Sequence, residues 1–127
     1  MSTGQQIPPV VQEQLAKLQQ AQQNLQMVLT QKQQLEFEQL ETKKALEELN
    51  KANDDDSVFK HAGTILIKSN RKDLLEELEE RMELAKTKAT LLVKQEERLK
   101  TSLKEQETKI QETIKKLSST GTQQSPK

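Results

Sequence analysis

The sequence predicts a mainly α protein: a long antiparallel two-helix coiled coil with a β-hairpin inserted between the helices. Three observations carry that expectation. Apolar residues recur at steps of three and four through most of a 127-residue chain otherwise rich in Gln, Glu and Lys. Proline and glycine, the strongest interruptions of a helix, lie near the two ends of the chain and at Gly63. Around Gly63 the stretch VFKHAGTILIK, residues 58–68, breaks into aromatic and β-branched residues that suit strands better than helices.

Composition narrows the class further. Hydrophobic residues make up 31% of the chain and charged residues another 31%, whereas an ordinary globular domain is roughly half apolar. A single compact core is not expected, yet the leucines recur too regularly for disorder. Twenty basic and twenty acidic side chains cancel, so no net field draws the chain to nucleic acid or to an anionic membrane. Without cysteine there is no disulfide framework and no thiolate metal site. The opening MSTGQQIPPVVQEQ lacks a signal-peptide pattern, and no apolar run approaches the ~20 residues that span a bilayer. A soluble, cytoplasmic chain is the expectation, after a flexible N-terminus at residues 1–7.

The first helix is expected over residues 8–52. Pro8 and Pro9 sit where proline is tolerated, in the first turn. Its seam reads Val11, Leu15, Leu18, Gln22, Leu25, Leu29, then shifts phase to Leu35, Gln39, Thr42, Leu46, Leu49, which places a discontinuity near Thr30–Gln33. The glutamines around it read as a solvated helix face rather than an aggregation-prone tract.

The second helix is expected over residues 70–117. Asn70 can cap it, with Asp73 three positions on in a variant of the capping box. Acidic residues crowd its first turns, and Lys109, Lys115 and Lys116 lie near its expected end, complementing the helix dipole. Glu77–Arg81, Glu96–Lys100, Glu105–Lys109 and Glu112–Lys116 stand at the favoured i,i+4 spacing. The seam never slips: Leu75, Leu78, Met82, Ala85, Ala89, Leu92, Glu96, Leu99, Leu103, Gln106, Ile110, Thr113, Leu117. Glu96, Gln106 and Thr113 either set register at a cost in stability or mark where the seam opens. Gly121 and Pro126 punctuate a polar tail, residues 118–127, expected to be disordered.

Between the helices, residues 53–69 exceed the roughly 2–8 residues of a simple helix–helix turn, so they need structure of their own. Asn53-Asp54-Asp55-Asp56-Ser57 is loop chemistry; Val58–His61 and Thr64–Lys68 are short strands about an Ala62-Gly63 turn. Ile65 and Ile67 fall on one face of the second strand and Leu66 on the other. A lone two-stranded hairpin is marginal in water and an exposed apolar edge invites pairing. Val58, Phe59, Gly63, Ile65, Leu66 and Ile67 therefore form an assembly element that joins hairpins of several chains into a shared sheet or barrel.

Chemistry-bearing constellations are sparse. His61 is the sole histidine, with no partner for a metal site or triad. Asp54-Asp55-Asp56 lacks the alternating ligands, central Gly and terminal Glu of a calcium loop. Nothing resembles a phosphate-binding loop, a nucleophile elbow or a catalytic acid pair, so neither an enzyme nor a cofactor is expected. At the chain ends, Ile7, Val10, Val11 and Ile114 gather beside or beyond the seams. They either close the coiled coil or, where a thin helix pair frays, present an apolar patch for binding.

The stretch LEELNKANDDDSVFKHAGTILIK, followed by a leucine-seamed helix, resembles the beta-class prefoldin subunits, and IPPVVQEQLAKLQQAQQNLQMVLTQKQQLE resembles the archaeal members. The likeness covers residues 5–117; its most specific part is Val58-Phe59-Lys60 followed by Gly63 and Ile65-Leu66-Ile67-Lys68. One hairpin rather than two matches the beta class. The resemblance implies a hexamer of two alpha-class and four beta subunits, with hairpins forming a β-barrel body and coiled coils hanging from it. It implies that the coiled-coil tips hold unfolded polypeptide clients and deliver them to a group II chaperonin without ATP. By position, Ile7, Val10, Val11, Leu15 and Leu18 match the client-facing end of the first helix, and Ile110, Ile114 and Leu117 that of the second. Ala62 departs from the pattern, being smaller than the apolar residue expected there. The rival reading is a structural or tethering coiled coil, which accounts for the helices but not for the strand insert. A leucine-zipper transcription factor lacks its basic region here.

Overall fold

The computed structural model describes residues 7–124. Two long helices flank a hairpin in the order α1 (Pro9–Lys51), β1 (Val58–Ala62), β2 (Ile65–Ser69), α2 (Arg71–Gln124). Pro9 stands at the first helical position, where a missing N–H costs nothing, and the Gln12 amide donates to the Pro8 carbonyl at 2.9 Å. With 43 residues at ~1.5 Å each, α1 is about 65 Å long. Residues 1–6, expected to be flexible, lie outside the described residues.

The chain divides into two compact units, one combining the segment up to Leu29 with that from Lys94 onward, the other spanning Thr30–Val93. In the first unit the most buried apolar residues are Val11, Ala21, Val28 and Ile110; in the second they are Leu35, Leu49 and Leu74. Among the described residues no large side chain is fully buried, as expected where two helices share one strip of contact and nothing covers their outer faces.

The burial pattern agrees with the expected α1 seam from Leu35 to Leu49 and corrects the part before it. Beside the half-buried Asn24 and Leu29, the protected positions of α1 are Val11, Gln14, Leu18, Ala21, Leu25, Val28, Lys32, Leu35, Gln39, Thr42, Leu46 and Leu49. They alternate by three and four without a slip, so the helix has no discontinuity at Thr30–Gln33; only the division between the two units falls there. Leu15 and Gln22 are exposed. The error has a simple cause. Leu15 is apolar and Gln14 is not, so apolar identity there points one step off the true stripe, and Leu29 is half-buried next to the better-buried Val28. On α2 every seam position from Leu75 to Thr113 is protected, and Leu117 is exposed.

The end of α2 also differs from expectation. The helix continues past Leu117 to Gln124, through Gly121. An interior glycine costs about 1 kcal/mol relative to alanine, which lowers helix stability without terminating it. Lys109, Lys115 and Lys116 therefore do not sit in the last turn, which holds no basic residue. Residues 125–127 of the expected tail lie outside the described residues.

β1 and β2 pair antiparallel, Val58 with Ser69 through Ala62 with Ile65. The connecting residues are thus Gly63 and Thr64, one position beyond the expected Ala62-Gly63. Gly63 has φ of 65°, and no described non-glycine residue has positive φ. A positive φ at the first central residue alone is the pattern of a type II′ turn, whose twist matches the strands and whose first position favours glycine.

Candidate functional site

In the Thr30–Val93 unit the hairpin is rooted by side chains rather than by a glycine cap. The last carbonyls of a helix lack intrahelical partners. Here the Arg71 Nε donates to the Leu49 carbonyl at 2.8 Å, one terminal nitrogen reaches the Asn50 carbonyl at 3.4 Å, and the other pairs with Asp54 Oδ1 at 3.1 Å. One guanidinium at the start of α2 thereby caps the end of α1 and holds the loop that leads to β1. The acidic triplet has structural work. Asp54 binds Arg71, and Asp56 Oδ2 accepts from the Asn53 amide at 2.7 Å, closing the turn before the strand. α2 starts as expected: Asn70 Oδ1 accepts from the Asp73 amide, and its side-chain amide donates to the Asp73 carboxylate, both at 2.8 Å.

Lys60 on β1 pairs with Glu77 on α2 at 3.1 Å. Glu77, expected to answer Arg81 along the helix, thus bonds the strand. Cross-strand partners share a face, so the register places Val58, Lys60, Ala62, Ile65, Ile67 and Ser69 together, with Phe59, His61, Leu66 and Lys68 on the other face. Phe59, Ile65, Leu66 and Ile67 are all exposed, Leu66 at 62%, and Val58 is half-buried. Both faces of the hairpin thus carry uncovered apolar side chains. The two-stranded order leaves one edge of each strand unpaired among the described residues. Where the hairpin meets the helices, a cleft of about 540 Å³ is floored by Leu49, Val58, Leu74 and Leu78 and bordered by Phe59 and Arg81. Exposed apolar faces and unpaired strand edges of this kind are the features that invite pairing with another chain.

In the other unit, the residues expected to bind polypeptide fall into two groups. Ile7, Val10, Leu15, Ile114 and Leu117 are exposed, between 38% and 48%. Val11 and Ile110 are instead closed into the seam, at 4% and 7%, and Leu18 is half-buried. Beside them Gln14 Nε2 donates to Thr113 Oγ1 at 3.1 Å, and that hydroxyl donates to the Lys109 carbonyl at 2.9 Å. Leu15 and Ile114 each directly follow one member of the Gln14–Thr113 pair in sequence, so both flank this polar layer.

Sequence reasoning missed Arg71 and Gln14. Arg71 acts on backbone carbonyls more than twenty positions away, which leaves no local signature. Gln14 could have been found by extending the three-and-four spacing back from Leu35 instead of following the leucines. The ion pair expected between Glu96 and Lys100 is formed, at 2.7 Å.

Comparison with known proteins gives this arrangement relatives. The Prefoldin subunit family model matches residues 12–117. The chain is 40% identical over 111 residues to the prefoldin subunit beta of Thermococcus onnurineus, covering 87% of this chain and 96% of that one. It is 42% identical over 105 residues to the prefoldin subunit beta of Archaeoglobus fulgidus, covering 83% and 90%. The crystal structure of the prefoldin beta subunit from Thermococcus strain KS-1 superposes with a TM-score of 0.72 at 39% identity, covering 86% of this chain and 96% of that one. The same order of helix, hairpin and helix, with sequence similarity that spans both helices, makes this chain a member of the prefoldin subunit family.

Proposed function

We propose that this chain is a beta-class subunit of a prefoldin hexamer of two alpha-class and four beta subunits, working in the cytoplasm. In this reading the hairpin faces, with Phe59, Ile65, Leu66 and Ile67, pair with those of neighbouring subunits in a β-barrel body. The helix ends that carry Ile7, Val10, Leu15, Ile114 and Leu117 hold non-native polypeptide and pass it to a group II chaperonin, without nucleotide or catalysis. The observation that supports it best is the pair of uncovered apolar surfaces, one on the hairpin and one at the ends of the helices, in a chain whose core is otherwise a thin seam. Each end offers too little area to bind tightly alone. Several on one body raise the effective concentration for an extended chain, which gives weak, multivalent and sequence-tolerant holding.

The test is aggregation of guanidinium-unfolded citrate synthase, followed by light scattering. The chain is assembled with an alpha-class partner, and assembly mass is checked throughout. Serine at Ile7, Val10, Leu15, Ile114 and Leu117 together leaves the seam and hairpin in place. Loss of protection at unchanged mass supports the reading. Full protection would move the holding surface to the body or the shaft.

A further inference from the structure

The seam near the chain ends is built unlike the seam around the hairpin. Ile110 is bracketed on the α2 seam by Gln106 and Thr113, and Val11 stands one seam step from Gln14 on α1. Because the helices run antiparallel, Val11 lies on the chain-end side of the Gln14–Thr113 bond and Ile110 on its other side, so this bond stands between the two best-buried apolar residues of these ends. The seam here is incompletely satisfied: the buried carbonyl oxygens of Gln14 and, two turns before Thr113 on α2, of Gln106 have no hydrogen-bond partner among the described residues. A buried acceptor without a partner destabilises the closed arrangement, because opening would hydrate it. Thr113 loses little on opening, since its hydroxyl also bonds the Lys109 carbonyl within its own helix. In the Thr30–Val93 unit the seam also carries Lys32, Gln39 and Thr42, but among the described residues no buried side-chain oxygen or nitrogen there is left without a partner.

We infer that the Gln14–Thr113 layer, with Gln106, is a gate in the seam. Its one interhelical hydrogen bond holds the ends in register, while its unsatisfied carbonyls keep the closed state shallow. Local opening then adds Val11 and Ile110 to the permanently exposed Leu15 and Ile114. The binding surface has two tiers, an outer one that needs no opening and an inner one released by the gate. This rests on the reading that the chain ends hold non-native polypeptide.

Hydrogen exchange by mass spectrometry on the full chain reads the gate directly, with or without client. Gln14→Leu replaces an unsatisfied group with an apolar seam residue. Exchange over residues 9–18 and 108–117 should slow roughly tenfold or more, with residues 35–49 unchanged. Thr113→Val removes the interhelical bond and strands the Gln14 amide, so the same segments should exchange faster. Protection of unfolded citrate synthase should fall in Gln14→Leu and persist in Thr113→Val. Exchange that is unchanged or faster in Gln14→Leu overturns the gate. Slower exchange with undiminished protection overturns the inner tier and leaves the gate standing. A failure of the holding reading itself shows separately, as full protection by the five-serine variant whatever the exchange rates.

Discussion

Replacing Arg71 with methionine keeps the aliphatic stem and removes the guanidinium that roots the hairpin. Three interactions disappear. The bond to the Leu49 carbonyl is short, at 2.8 Å, and comes from a charged donor whose side chain is only 22% exposed; such bonds contribute roughly 1.5–3 kcal/mol. The 3.4 Å approach to the Asn50 carbonyl lies beyond the usual hydrogen-bond range and adds little. The ion pair with Asp54, whose side chain is 84% exposed, contributes at most about 1 kcal/mol because water screens it. The Leu49 carbonyl keeps a second donor, the Ala52 amide at 3.2 Å, so it is not orphaned. The expected cost is therefore about 2 kcal/mol, near the lower part of the summed range. Urea unfolding followed by circular dichroism should show a midpoint lowered by about 1 M at an unchanged slope. Protein concentration must be matched, because assembly contributes to apparent stability. Asp54→Ala removes only the screened partner and should cost less than about 0.5 kcal/mol. Arg71→Lys should fall between them, since an ammonium cannot reproduce the fork. A midpoint for Arg71→Met indistinguishable from wild type would refute the clamp. So would an Asp54→Ala cost equal to that of Arg71→Met, which would move the energy from the helix cap to the ion pair.

Two further substitutions test the seam and the turn. Ala21→Asp places a charge on the buried stripe and should destabilise by about 3 kcal/mol or more, whereas Gln22→Asp on the exposed face should stay within about 0.5 kcal/mol; equal costs in thermal unfolding would restore the phase read from the leucines. Gly63→Ala meets no atom within 4 Å of the added carbon, so its cost is the positive φ alone, about 1–2 kcal/mol, with Gly63→Asn costing less; a neutral alanine in the same unfolding experiment would contradict the turn assignment.

The parts of this protein that were legible in its sequence are those where one residue's chemistry decides the outcome by itself. Pro9 starts α1, Asn70 caps α2, and Gly63 supplies the positive φ of the turn, each through its own backbone or its nearest neighbours. The α2 seam was legible because apolar residues occupy nearly all of it. The α1 seam was legible from Leu35 to Leu49 but not before it, because Gln14 and Lys32 sit on the stripe while Leu15 lies off it. Which of two adjacent residues is buried there depends on where the partner helix lies, and a single helix does not contain that information. Gly121 shows the converse: its cost is small enough that the helix passes through it.

The candidate surfaces divide in the same way. Strand alternation puts Phe59 and Leu66 on one face of the hairpin and Ile65 and Ile67 on the other, so the apolar character of both faces could be read directly. At the chain ends, composition marked one apolar cluster, and only packing separated it into exposed residues and the closed pair Val11 and Ile110. Sequence alone determined the elements, their order and the family resemblance, because propensity, capping and turn chemistry act over a few residues. Tertiary structure decided the phase of α1, the Arg71 clamp and the polar layer at Gln14, because each depends on groups distant in sequence meeting in a partly dry contact.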